Sequence, residues 1–87
     1  MEIVFAGTAS EDLEYWSQSG QTSIQNKITS LLQSIRQTPY SGIGKPEPLK
    51  HDLSGYWSRR INKEHRVVYR VEDQKVIVVS LRFHYKK

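Results

Sequence analysis

The chain has 87 residues, a formal net charge of +4 and no cysteine. That length suits one domain spanning residues 1–87, and the missing thiols exclude disulfides and thiolate metal sites. No apolar run approaches the roughly 20 residues needed to span a bilayer, and no basic segment followed by an apolar one opens the chain, so a soluble cytoplasmic protein is expected.

Taken in order, Glu2–Ala6 reads as a short strand stopped by Gly7. Thr8-Ala-Ser-Glu11 fits a capping box, with Thr8 and Glu11 reciprocally satisfying free backbone N–H groups. A helix through Leu13, Tyr15 and Trp16 should follow and end near Gly20. Ile24, Ile28, Leu31, Leu32 and Ile35 then recur on one helical face, and Pro39 ends that second helix. Next comes Gly44-Lys-Pro-Glu-Pro-Leu-Lys-His51, a carboxylate between two prolines with Lys45 and Lys50 close by. The prolines fix their own φ angles and push the residue before each toward extended backbone, so Glu47 is expected on a stiff loop.

From Leu49 the texture is β. Leu49–Leu53 and Tyr56–Ile61 flank the turn signal Ser54-Gly55. Asn62-Lys63-Glu64 leads into His65–Glu72, and Asp73-Gln74 leads into Lys75–His84. The order β-α-α-β-β-β implies an α+β domain, a helical hairpin packed on one face of a mainly antiparallel twisted sheet. Alternation assigns Trp57 and Ile61, then Val67, Tyr69 and Val71, then Ile77, Val79, Leu81 and Phe83 to the helix side. Arg60, Arg66, Arg82 and His84 then share the other face, unless a bulge breaks the parity.

Charge is distributed unevenly. Residues 1–44 carry a net −2 and residues 45–87 a net +6. The second half therefore has the positive field that attracts a polyanion, although a solubilising surface would look the same. His51, His65 and His84 form no ligand motif, and there is no Walker-type loop, so neither metal nor cofactor is called for. What remains is a carboxylate, a histidine and arginines on a basic surface. That set suits phosphoryl transfer by acid–base chemistry, and RNA fits better than DNA because its 2′-OH is a built-in nucleophile. In that reading Glu47 is the base, Arg66 binds the scissile phosphate through its guanidinium fork, and His84 supplies a proton near neutral pH. Tyr85 is placed to stack on a base or to hydrogen-bond a phosphate. Singly, each residue has a plainer reading: Glu47 pairs with Lys50, Arg66 bridges to Glu64 or Glu72, and His84 and Tyr85 are a chain end.

Gly44–His51, Ser54-Gly-Tyr-Trp-Ser-Arg-Arg60, Glu64-His-Arg-Val-Val-Tyr69 and the terminal Arg82-Phe-His-Tyr85 together resemble the Txe/YoeB family of RelE-superfamily toxins from type II toxin–antitoxin systems. The likeness runs over essentially the whole chain, including Tyr15-Trp16 and Thr38-Pro39. It implies a RelE-like fold and a ribosome-dependent, metal-independent mRNA endoribonuclease of the bacterial cytoplasm, cutting in the A site by 2′-OH attack and leaving a 2′,3′-cyclic phosphate and a 5′-OH. The family's base, phosphate-binding arginine and acid fall on Glu47, Arg66 and His84. Lys50, Arg60, Glu64 and Tyr85 match positions that support the site or touch RNA. The implied partners are the ribosome, mRNA and a YefM/Phd-type antitoxin, with room for a homodimer. Phe83 stands where a tyrosine is often found, and Lys86-Lys87 extends past the usual terminal tyrosine. Two other functions compete. ParE-like gyrase poisons share the fold but lack this base, arginine and acid, and a non-cleaving RNA-binding module gives no purpose to a carboxylate facing phosphate.

Overall fold

The computed structural model describes residues 1–83. Strand β1 (Glu2–Phe5) leads into helices α1 (Ala9–Gln18) and α2 (Thr22–Gln37), and then into β2 (Glu47–Pro48), β3 (Trp57–Arg60), β4 (Arg66–Glu72) and β5 (Lys75–Ser80). The five strands form one sheet in the order β1-β5-β4-β3-β2. β1 runs parallel to β5, and the other pairings are antiparallel. Both helices lie on one face of this sheet, the α+β arrangement that the element order implies.

The stripe on α2 buries Ile28, Leu31 and Ile35, which join Ala9 and Trp16 of α1. Beneath them lie Ile61, Val67, Tyr69, Val76, Val78 and Leu81. β4 follows simple alternation, with Val67 and Tyr69 turned to the helices. β5 does not. Tyr69 pairs with Val78 but Val68 pairs with Ser80, so Val79 is an extra residue at a bulge. Val76 and Val78 therefore enter the core in place of the expected Ile77 and Val79, and the parity is restored only at Leu81. Phe83 is exposed rather than packed under the helices. Arg82, expected beside Arg60 and Arg66, lies instead over the Tyr15 ring of α1, its guanidinium carbon 3.6 Å from the ring centroid.

The capping box expected at Thr8 does not form, and no side chain caps α1. Thr8 Oγ1 donates instead to Asp12 Oδ2 at 3.0 Å, and the same carboxylate oxygen accepts the backbone N–H of Leu81 at 2.9 Å. Trp16 Nε1 donates to the Leu81 carbonyl at 2.9 Å. Two α1 side chains thus satisfy both backbone groups of a residue just past the end of β5, where no sheet partner does so. β5 stops at Ser80, short of the expected His84.

The hairpin over Ser54-Gly55 is also built differently. Its first arm is Glu47–Pro48, paired with Ser58 and Trp57, while His51–Leu53 forms a short 3-10 helix. Pro48 is tolerated because β2 is the sheet edge, where a missing N–H breaks no ladder. Asp73 and Gln74 form the expected tight turn, with φ of 53° and 60° between the paired Glu72 and Lys75. Two consecutive positive φ values match the right-handed twist of the flanking strands.

Candidate active site

Glu47, Ser58, Arg60 and Arg66 share the sheet face turned away from the helices. Register places them there: Glu47 lies opposite Ser58, and Arg60 opposite Arg66. Directly opposed residues project from the same side, and Ser58 and Arg60 are two apart on one strand. The sheet therefore brings Glu47 and Arg66 together, although they are nineteen positions apart in the chain.

Arg66 Nη1 lies 3.7 Å from Glu47 Oε1, and the same nitrogen donates to Ser58 Oγ at 2.8 Å. The two charged side chains differ in solvent access: Arg66 is 11% exposed and Glu47 52%. The arginine is thus fixed from beneath, while the carboxylate opens to solvent and to any approaching ligand. With one partner half in water, the ion pair itself contributes at most about 1 kcal/mol. Its importance is geometric, because it sets a proton acceptor beside a phosphate-shaped donor.

The loop before Glu47 is shaped by its contacts. Gly44 has φ +84°, and its carbonyl accepts the Arg60 N–H at 2.7 Å. Lys45 has φ +55° and is left-handed, not extended as its place before Pro46 suggests. Two successive positive-φ residues turn the chain so that Glu47 and Pro48 can pair with β3.

Behind the site, Arg59 points the other way, into the interior. Its guanidinium donates to Tyr69 Oη, to Ser34 Oγ and to the carbonyls of Ile43, Thr38 and Ser41. Tyr69 Oη donates in turn to the Pro39 carbonyl. The segment from α2 to the Glu47 loop is therefore fastened to β3 and β4. Burial pushes the Tyr69 phenol above its ordinary pKa of 10.0, and the neighbouring Arg59 offsets this only in part.

The remaining sequence candidates fall as follows. Arg60 is exposed on the site face, and Lys50 is exposed at the start of the 3-10 helix. Glu64 is exposed and its carboxylate lies 3.6 Å from His65 Nε2. Glu72 pairs with Arg70, so neither Glu64 nor Glu72 is the recorded partner of Arg66. His84 and Tyr85 lie outside the described residues. Among the described residues, no group of three or more histidine or carboxylate side chains is placed to hold a metal ion. Sequence reasoning assigned no part to Ser58, Arg59, Asp12 or His65. His65 is buried against Trp16, and its Nδ1 accepts the Phe83 N–H at 2.7 Å. Strand parity separates Ser58 from Arg59, but no residue type marks which buried polar group has which partner.

Comparison with known proteins covers nearly the whole chain. A family model described as YoeB-like toxin of bacterial type II toxin-antitoxin system matches residues 5–85. Toxin YoeB of Escherichia coli is 44% identical over 85 residues, covering 98% of this chain and 100% of that protein. Among solved structures, a YoeB/ParE toxin from Agrobacterium tumefaciens superposes with a TM-score of 0.91 at 46% identity, covering 98% of this chain and 100% of that one. A chain of the YoeB-YefM complex from Staphylococcus aureus superposes with a TM-score of 0.86 at 45% identity, with 98% of both chains covered.

Proposed function

This chain belongs to the family of YoeB-like toxins of bacterial type II toxin–antitoxin systems, and from that premise we propose that it is an endoribonuclease that cleaves mRNA in the ribosomal A site. The observation that carries the reading is the pairing of an exposed carboxylate, Glu47, with a buried and oriented guanidinium, Arg66, 3.7 Å away on the open face of the sheet.

The reaction needs a base, a phosphate clamp and an acid. Glu47 takes the proton of a ribose 2′-OH, and the oxygen attacks the adjacent phosphorus. A 2′-O–P bond forms as the P–O5′ bond breaks. Arg66 stabilises the charge that gathers on the non-bridging oxygens, and its fork suits their geometry. His84 protonates the departing 5′ oxygen. The products are a 2′,3′-cyclic phosphate and a 5′-OH, and the sequence of steps draws on no metal. Lys50, Arg60 and Tyr85 contribute contacts to RNA, and Glu64 supports the site. The excess of cations in residues 45–87 supplies the long-range attraction to ribosomal and messenger RNA.

The partner that silences this activity is a YefM-type antitoxin, by analogy with the Staphylococcus aureus toxin solved in complex with YefM. The deciding experiment maps the 5′ ends of a translated mRNA after incubation with purified protein, with and without ribosomes. Cuts confined to ribosome-bound message, with 5′-OH ends, are expected. Equal cutting of naked RNA overturns ribosome dependence. Intact message together with relaxed plasmid DNA points instead to gyrase.

A further inference from the structure

Ser58 is fully buried near the centre of the site face, directly opposite Glu47 on β2 and Val68 on β4. A small polar residue is locally unfavourable there, since buried strand positions favour β-branched and aromatic side chains. Its one recorded side-chain hydrogen bond is to Arg66 Nη1, at 2.8 Å. That is the same nitrogen that faces Glu47 Oε1 at 3.7 Å, beyond hydrogen-bonding distance. Nη1 carries two N–H donors, yet in this structure it is held against the hydroxyl and short of the carboxylate.

We infer that Ser58 is a positioning residue that holds the Arg66 guanidinium back from Glu47, keeping the carboxylate available for a proton and the guanidinium available for phosphate. The inference rests on the ribonuclease reading above. Without the hydroxyl, the natural resting state of an arginine beside a carboxylate is a forked pair with N···O near 2.7–2.9 Å. Such a pair would occupy both groups at once. A serine serves where an acid would not, because a neutral acceptor orients the guanidinium without cancelling the charge meant for the phosphate. The opposite side of β3 holds Arg59 in the same manner, by neutral oxygens alone among its recorded bonds.

The test is single-turnover cleavage of ribosome-bound mRNA by the intact protein and by Ser58→Ala, Ser58→Cys and Ser58→Thr, with the Ser58→Ala change repeated in an Arg66→Lys background. Ser58→Ala and Ser58→Cys are expected to slow cleavage by about 10- to 100-fold at saturating ribosomes, the scale of a roughly 1 Å misplacement of a reacting group. The concentration giving half-maximal rate should stay near its original value, and Ser58→Thr, which keeps the hydroxyl, should restore the rate. In the Arg66→Lys background, where there is no fork to hold, Ser58→Ala should cost less than about threefold. Full cleavage by Ser58→Ala overturns the inference, and so does an equal loss in both backgrounds, which marks a purely structural hydroxyl. If the unaltered protein cuts no message, the ribonuclease reading itself falls and the role of Ser58 falls with it.

Discussion

Arg59 Nε donates to Tyr69 Oη at 3.2 Å in the interior, joining β3 to β4 directly behind the site face. From this point the other Arg59 nitrogens reach three carbonyls and one hydroxyl of the α2 end and the segment after it. Each recorded partner is uncharged, so the guanidinium is stabilised by full hydrogen bonding rather than by a counter-ion. Arg59→Ala removes five hydrogen bonds and empties a fully buried site, and is expected to cost about 3 kcal/mol or more, from roughly 0.5–1.5 kcal/mol per hydrogen bond lost. Arg59→Lys should recover little of this, because a single ammonium cannot span the same partners. Urea titration of the three proteins checks both statements.

Tyr69 gives the interior an alkaline weakness. Burial raises the pKa of its phenol above 10.0 in the folded protein, while the unfolded chain titrates near the ordinary value. Between those two values the unfolded state has lost a proton that the folded state keeps, so stability falls as pH rises. The contribution is complete below pH about 10 and is lost on passing through the folded-state pKa. Tyr69→Phe should therefore be less stable at neutral pH, having lost the hydroxyl's bonds, yet show a shallower decline in alkali. Chemical denaturation at several pH values above about 9 reads the difference in slope.

Gly44 is held to its identity by two constraints. Its φ of +84° is one that residues with side chains rarely adopt, and an added Cβ would stand 2.6 Å from Leu31 Cδ2 and 3.2 Å from Arg59 Cβ. Leu31 is itself fully buried, so it has little room to yield. Gly44→Ala should destabilise by roughly 1–3 kcal/mol. Because Gly44 opens the loop that carries Glu47, the variant should also cleave more slowly than its residual folded fraction explains. Thermal melts together with single-turnover rates separate the two effects.

Asp12 ties α1 to the chain beyond β5 through the Leu81 N–H. Asp12→Ala strands that buried donor and should cost about 1–3 kcal/mol. Asp12→Asn should cost less, since its amide oxygen still accepts one bond. Hydrogen exchange at the Leu81 amide, faster in Asp12→Ala, locates the effect.

Glu47→Ala, Arg66→Ala and His84→Ala should each reduce mRNA cleavage by about 10²-fold or more and relieve growth inhibition. Glu47 is half exposed, so Glu47→Ala should alter stability by no more than about 1 kcal/mol. Arg66→Lys should rescue poorly, for loss of the fork. Toxicity retained in all three alanine variants sinks the mechanism.

Local pattern and tertiary context divided the work unevenly. The α2 stripe, the Asp73-Gln74 turn, the stop at Pro39 and the element order were legible from the chain, because periodicity and turn chemistry act over a few residues. The stretch around Glu47 and the Arg-containing strands also carried enough identity to indicate the family. Other expectations failed where the contacts formed in the fold outweighed a local preference. Thr8 turned to Asp12 rather than closing a capping box with Glu11. The first hairpin arm moved to Glu47–Pro48, where β3 offers its partners. One extra residue, Val79, shifted the parity of β5 ahead of Leu81, and β5 ended at Ser80, so that Arg82 beyond it lies against Tyr15 of α1.

By itself, then, the sequence singled out the residue types proposed for acid–base chemistry on phosphate, and set Glu47 between two prolines in a basic half of the chain. Only the tertiary structure decided that Glu47 meets Arg66, that Ser58 accepts a hydrogen bond from the Arg66 nitrogen facing Glu47, and that Arg59 is structural although it adjoins Arg60. The reason is strand geometry. Neighbours in sequence project to opposite faces, whereas register across the sheet makes neighbours of residues that nothing in the chain connects.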